Sequence, residues 1–151
     1  MSSLADIDRL LDLSVWRQRQ GERNLQSARQ RLVQVQRELC ALDEHEASLR
    51  ALLGSHRAEN CVLDHWQLLE TLRRQAVIRR QIQLLVLERG PLHEQRTQMD
   101  QDVHRWQRKM LVLRRKHAKY VGLRQRLGRE HRLERLRRDE GEIEDLIGMN
   151  G

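Results

Sequence analysis

Twice along this chain, positions spaced alternately three and four residues apart are filled mostly by Leu, Ile, Val and Met, and this spacing constrains the fold more than any other feature. The first ladder occupies positions 4, 7, 11, 14, 18, 21, 25, 28, 32, 35, 39, 42, 46, 49 and 53, and eleven of the fifteen are apolar. The second occupies 78, 82, 85, 89, 92, 96, 99, 103, 106, 110, 113, 117, 120, 124 and 127, again with eleven of fifteen apolar. A stripe recurring every 3.5 residues lies along one face of a helix and is buried only against another helix. The expected fold is all-α, a long antiparallel two-helix coiled-coil hairpin in a single domain. Helix 1 should span about 4–55, the turn about 56–63 and helix 2 about 64–147.

The reversal is written between the ladders. Asp64 followed by Gln67 forms a capping box, with Leu63 and Leu68 placed as a hydrophobic staple. Gly54-Ser55 loosens the end of the preceding pattern, and Asn60 tolerates turn conformations. Ser14, Gln18 and Gly21 occupy three consecutive slots of the first ladder, which predicts that the seam is weakest and frays first there, with Glu46 a lone fourth gap. Gly90-Pro91 falls inside the second ladder, where proline removes a helix hydrogen bond and clashes with the preceding turn. The register passes through it, so a kinked helix is expected, a break into two helices being the alternative. With a turn centred near Asn60, Leu4 lies opposite roughly residue 116, and the last thirty or so residues overhang without an intramolecular partner.

Composition agrees with a long coiled coil and not with a packed globule. The chain has no Phe, one Tyr and one Pro among 151 residues, and 34% of it is charged. No stretch of about 18 uncharged apolar residues is present, so no membrane insertion is expected. The N-terminal residues carry acids where a secretory signal needs bases, which predicts a cytosolic protein. Cys40 and Cys61 lack a pairing motif and suit a reducing compartment. His56, Cys61 and His65 match no zinc spacing and lack a fourth ligand, so no metal is expected. Nucleotide-binding, zinc-protease and hydrolase motifs are absent, and no enzyme activity or cofactor is expected.

Charge is concentrated late in the chain. Residues 1–63 balance nine bases against nine acids, and residues 64–103 balance six against six. Residues 104–138 hold fourteen bases and two acids, whereas 139–151 hold five acids and no base. So dense a basic block calls for an acidic partner surface or nucleic acid. Trp106 and Tyr120, its aromatic residues, both sit on the ladder, which leaves no stacking platform and argues against nucleic acid. The plainer reading is a solvated face partly neutralised by the acidic tail folding back.

The run Arg57-Ala58-Glu59-Asn60, Leu63, and then Leu72-Arg73-Arg74-Gln75-Ala76-Val77-Ile78-Arg79-Arg80-Gln81-Ile82 resembles the stalk proteins of bacterial type III secretion systems. It is most similar to the InvI/SpaM branch of the SctO family, relatives of YscO and flagellar FliJ. The resemblance implies a hairpin similar to the coiled coil of the rotary ATPase gamma subunit. Its open end would enter the pore of a hexameric secretion ATPase, and its tip would face the cytoplasmic ring of the export gate. The implied role is non-enzymatic: promoting ATPase assembly and hydrolysis, coupling the ATPase to the gate, and handling export chaperones at the cytoplasmic face of the inner membrane. Carried onto this sequence, the tip contacts are Arg57, Glu59, Asn60, Arg73, Arg74, Gln75, Arg79 and Arg80, and the pore contacts are the N-terminal turns with Arg114, Arg115, Lys116, Lys119, Arg124 and Arg126. Arg79 and Arg80, beside Ile78 and Ile82, are placed to make bidentate contacts with carboxylates. Two other readings compete: a basic coiled coil binding nucleic acid or an acidic partner through residues 104–138, and a parallel homodimer with the turn straightened.

Overall fold

The first helix, α1, spans Leu4–Ser55, and the second, α2, spans His65–Met149. In this computed structural model residues 4–55 and 64–149 are described, and they contain two long helices packed antiparallel against each other as a hairpin, with no strand among them. The start of α2 follows from its first residues. Asp64 Oδ1 accepts a hydrogen bond from the Gln67 amide at 2.7 Å, and the Gln67 side chain accepts one from the Asp64 amide at 3.3 Å. Two of the amides that a helix start leaves without partners are thereby satisfied. Leu63, the outer half of the expected staple, and the turn residues lie outside the described residues. At the other side of the turn, Ser55 closes α1 by donating its hydroxyl to the Leu52 carbonyl at 2.8 Å.

Every position of the first ladder is buried or half-buried, and so is every position of the second except Arg96. Gly90 and Pro91 are both inside α2, which continues without a break, so the two-helix alternative fails. Pro91 and Leu87 are exposed. The carbonyl that proline leaves without a donor therefore faces water, which can replace the missing bond.

The contacts fall into two units. The terminal unit joins residues 1–25 to 105–151, and the middle unit comprises residues 26–104. In the middle unit, Leu49, Ile78, Ile82 and Leu85 form a buried cluster, with Leu42 and Leu53 packed against it. In the terminal unit, Ile7 and Met110 are almost completely covered, Met110 to 2% exposure.

Cross-helix contacts correct the expected register. In the terminal unit Asp8 meets Arg124, Ser14 meets His117, and Gly21 lies against Met110 and Leu113. Continuing that pairing by 1.5 Å per residue puts Leu4 level with about Gly128, not residue 116. The overhang is therefore residues 129–149, shorter than the thirty residues anticipated. In the middle unit Arg89 meets both Asp43 and Glu46, which sets the last residue of α1 roughly level with residues 77–80, so the first turns of α2 extend past the end of α1. The two arms of the hairpin do not cancel about Asn60, because α2 begins its pairing well after its own N-terminus.

The slots expected to leave gaps in the seam near Ser14 are filled. Ser14 is 4% exposed, and its hydroxyl lies 3.1 Å from His117 Nδ1. Gly21 is buried because Met110 fills the space where a side chain would stand, and a Cβ there would also lie 3.2 Å from Leu113 Cδ1. The gaps left by small residues on α1 are filled from α2. Gln18, between them, is half-buried.

Candidate functional site

Two groups of side chains were expected to contact partners. Of the tip group, Arg57, Glu59 and Asn60 lie outside the described residues. The remaining five are on the first turns of α2, where helical spacing separates them. Arg73, Arg79 and Arg80 are exposed, Arg74 is exposed but bound to Glu70 at 3.3 Å, and Gln75 is half-buried. Arg79 and Arg80 do not share a surface with Ile78 and Ile82, which face inward as members of the buried cluster. Their apolar neighbours are instead Ala76, Leu84 and Leu87, which line a shallow groove with them and Gln83 on the outer face of α2. A second groove, bordered by Leu52, Glu70, Arg73, Arg74 and Val77, lies next to the end of α1. Both combine guanidinium groups with exposed apolar side chains, a combination suited to a partner that offers carboxylates and an apolar face.

The outer-face groove has a sequence signal of its own. Trp66, Leu69, Arg73, Ala76, Arg80, Gln83 and Leu87 again step by three and four, on the side of α2 opposite the seam, and all are exposed. Sequence reasoning followed the stronger stripe and passed over this one.

Of the pore group, Arg114, Arg115, Lys116, Lys119 and Arg126 are exposed. Arg124 is not free in the same way, because its Nε donates to Asp8 Oδ1 at 2.6 Å and ties the first turns of α1 to α2. Lys109 adds a further cation to this unit, held 4.4 Å from the centre of the Trp106 ring. Beyond Gly128 every residue of α2 to Met149 is exposed except Gly141.

The middle unit holds the strongest electrostatic cluster. Arg89 Nη2 donates to Glu46 Oε2 and to Asp43 Oδ1, the latter at 2.9 Å, while Arg50 Nη2 donates to Glu46 Oε1 at 3.0 Å. The hydrogen bond from Arg89, and after it that from Arg50, pulls the Glu46 carboxyl below its ordinary pKa against the opposing effect of desolvation. The hydrogen bond to Glu46 pushes the Arg89 pKa up in turn. Arg89 Nε is buried without a hydrogen-bond partner. This cluster closes the seam; it offers no open coordination position or nucleophile. Among the described residues, no group of three or more His, Cys, Asp or Glu is placed to hold a metal, and no helix is long and apolar enough to cross a membrane.

Each unit thus leaves an arginine-rich surface open. The protein family described as Salmonella surface presentation of antigen gene type M protein matches residues 5–147, which is nearly the whole chain. The chain belongs to this family. It is a type III secretion stalk family, and the match reaches into both helices and takes in all of the expected partner-binding residues. No curated protein and no solved structure matches it.

Proposed function

We propose that this protein is the non-catalytic stalk of a bacterial type III export apparatus, linking a hexameric secretion ATPase to the cytoplasmic ring of the export gate and promoting ATP hydrolysis and protein export. What carries the reading is the family match over residues 5–147. The hairpin supplies ends with different chemistry. The open end presents Arg114, Arg115, Lys116, Lys119 and Arg126 with the overhanging arginines, a cationic surface suited to an acidic pore lining. The gate end presents Arg79 and Arg80 beside the exposed Leu84 and Leu87, and Arg73 and Arg74 beside Leu52 and Val77, with Gln75 on the same turns and Arg57, Glu59 and Asn60 completing it in sequence. On this reading the stalk works on the cytoplasmic side of the inner membrane and meets export chaperones there. Arg124 also holds α1 and α2 together at the pore end through Asp8, and on this reading it presents the rest of its guanidinium to the pore with the other basic residues.

The deciding experiment is the ATP hydrolysis rate of the cognate ATPase with the full chain and with a chain ending at Gly128. That truncation leaves the paired seam intact and removes the overhang. Stimulation by the full chain and its loss on truncation supports the stalk and assigns the overhang to the pore. If neither chain binds or stimulates while both remain helical, the stalk reading fails. Salt-dependent association of the basic segment with nucleic acid is then the reading to test.

A further inference from the structure

The first turns of α2 carry two stripes. Ile78, Ile82 and Leu85 lie in the seam with α1. On the opposite side Trp66, Arg73, Arg80 and Leu87 recur at intervals of seven, with Leu69, Ala76 and Gln83 between them. Leu72, Arg79 and Val86 border this second stripe on one side, and Val77 and Leu84 border it on the other. All of these residues are exposed, Trp66 to 68% and Leu87 to 71%. The stripe is apolar at both ends and cationic in the middle, over about 31 Å of helix. Among the described residues Arg73, Arg79 and Arg80 form no ion pair, whereas Glu70, at the edge of this face, is held by Arg74.

We propose that this face is a second coiled-coil seam, which takes an amphipathic helix of a partner protein with apolar residues at its ends and carboxylates two turns apart in its middle. Spacing sets the form of the partner. A heptad stripe is covered in step only by another helix, because the side chains of an extended segment repeat every two residues and drift out of register with it. Charge sets its chemistry. Arg73 and Arg80 stand on the axis of the stripe, so covering the apolar ends takes both guanidiniums out of water unless carboxylates meet them there.

The same placement weighs against other surfaces. A helix lying in a lipid interface keeps its cations at the edges of its apolar face, and here two stand at the centre. Pairing of this face with a second copy about the middle of the stripe sets Arg73 against Arg80, and parallel pairing sets each arginine against itself. A nucleic acid would answer the arginines and leave the aliphatic ends uncovered. The inference deepens the gate-end half of the stalk reading and rests on it for where the partner is met.

The probe is a synthetic helical peptide of about three heptads, with Leu at the core positions of its outer heptads and two Glu, seven residues apart, in its middle. Fluorescence anisotropy of the labelled peptide, titrated with the full chain, should show saturable one-to-one binding. Arg73→Glu with Arg80→Glu should weaken it about tenfold or more, and a peptide with Lys in place of both Glu should bind this variant and not the parent chain. Trp66→Ser with Leu87→Ser should weaken it to a similar degree, whereas Arg37→Glu, exposed on α1, should leave it unchanged. Circular dichroism checks that each variant stays helical. In cells the Arg73→Glu, Arg80→Glu chain should lose protein export while still stimulating the ATPase, which separates this face from the rest of the stalk. If the parent chain itself fails to stimulate the ATPase, the stalk reading falls and peptide binding alone decides the face. No peptide binding, binding indifferent to the charge reversal, or normal export by the reversed chain would overturn the proposal. Self-association, or binding to vesicles containing phosphatidylglycerol, that the same reversal abolishes would also overturn it, assigning the face to a second copy or to lipid.

Discussion

The middle and terminal units solve one problem by different means. Each must close a heptad seam interrupted by residues that are not apolar. In the middle unit the interruptions are Glu46 on α1 and Arg89 on α2, and they meet as an ion pair braced by Asp43 and Arg50. In the terminal unit two interruptions are filled by size and shape, Ser14 meeting His117 and Gly21 being filled by Met110, while Arg124 pairs with Asp8 at the partly exposed end of the seam. Charge matches charge within the covered seam of one unit, and volume matches volume within that of the other. The lesson is that exceptions to a repeat carry more structural information than the repeat. Any Leu of α1 can pack against any Leu of α2, but a glycine hole accepts a long side chain, and an acid in a seam needs a base.

The contrast can be broken by substitution, and the largest effect belongs to the volume-matched unit. Met110→Ala empties the hole at Gly21 and should cost about 2–5 kcal/mol, read as a fall in the thermal midpoint by circular dichroism. Gly21→Leu overfills the same place and should cost about 1–3 kcal/mol, with Met110→Ala partly rescuing it in the double variant. Additive losses from the two would show that the side chains do not share that space.

In the charge-matched unit the expected pattern is different in kind. Removing Arg89 alone leaves Glu46 half-buried and answered only by Arg50, so Arg89→Met should destabilise the hairpin. Replacing both partners, Arg89→Met with Glu46→Leu, removes the desolvation cost together with the attraction and should regain most or all of the loss. A double variant no better than the single would mean that the pair contributes net stability.

Acid sharpens the comparison further. Because the folded state holds the Glu46 pKa below its unfolded value, its stabilisation is complete above the ordinary carboxylate range. It is lost as pH falls through the depressed folded value. Acid titration of the thermal midpoint should therefore lose a component in Glu46→Gln relative to the parent chain, and an unchanged acid limb would refute this. The smallest effect is expected at the start of α2, where Asp64→Ala removes the acceptor for the Gln67 amide and should cost about 1 kcal/mol.

Much of this fold is legible in the sequence. Every ladder position except Arg96 is covered at least in part, the capping box forms as its spacing implies, and the register of the stripe correctly carries α2 through Pro91. The matching of exceptions was equally available, since Ser14, Gly21 and Glu46 face His117, Met110 and Arg89, but each ladder had been read alone. The candidate site was less legible. Exposed arginines could be placed on helices by spacing, but not their partners: Arg124 reaches Asp8 from 116 residues away, and Ile78 and Ile82 proved to be core and not contact surface.

By itself the sequence determined that there are two helices, which face of each is buried, and where α2 begins, because capping and apolar periodicity act within a few residues of one another. Tertiary structure alone decided the register, the length of the overhang and which arginines remain free. A heptad pattern looks the same after sliding by seven residues, so periodicity leaves the register degenerate. Only side chains meeting across the seam, at Asp8 and Arg124, Gly21 and Met110, and Glu46 and Arg89, break that degeneracy.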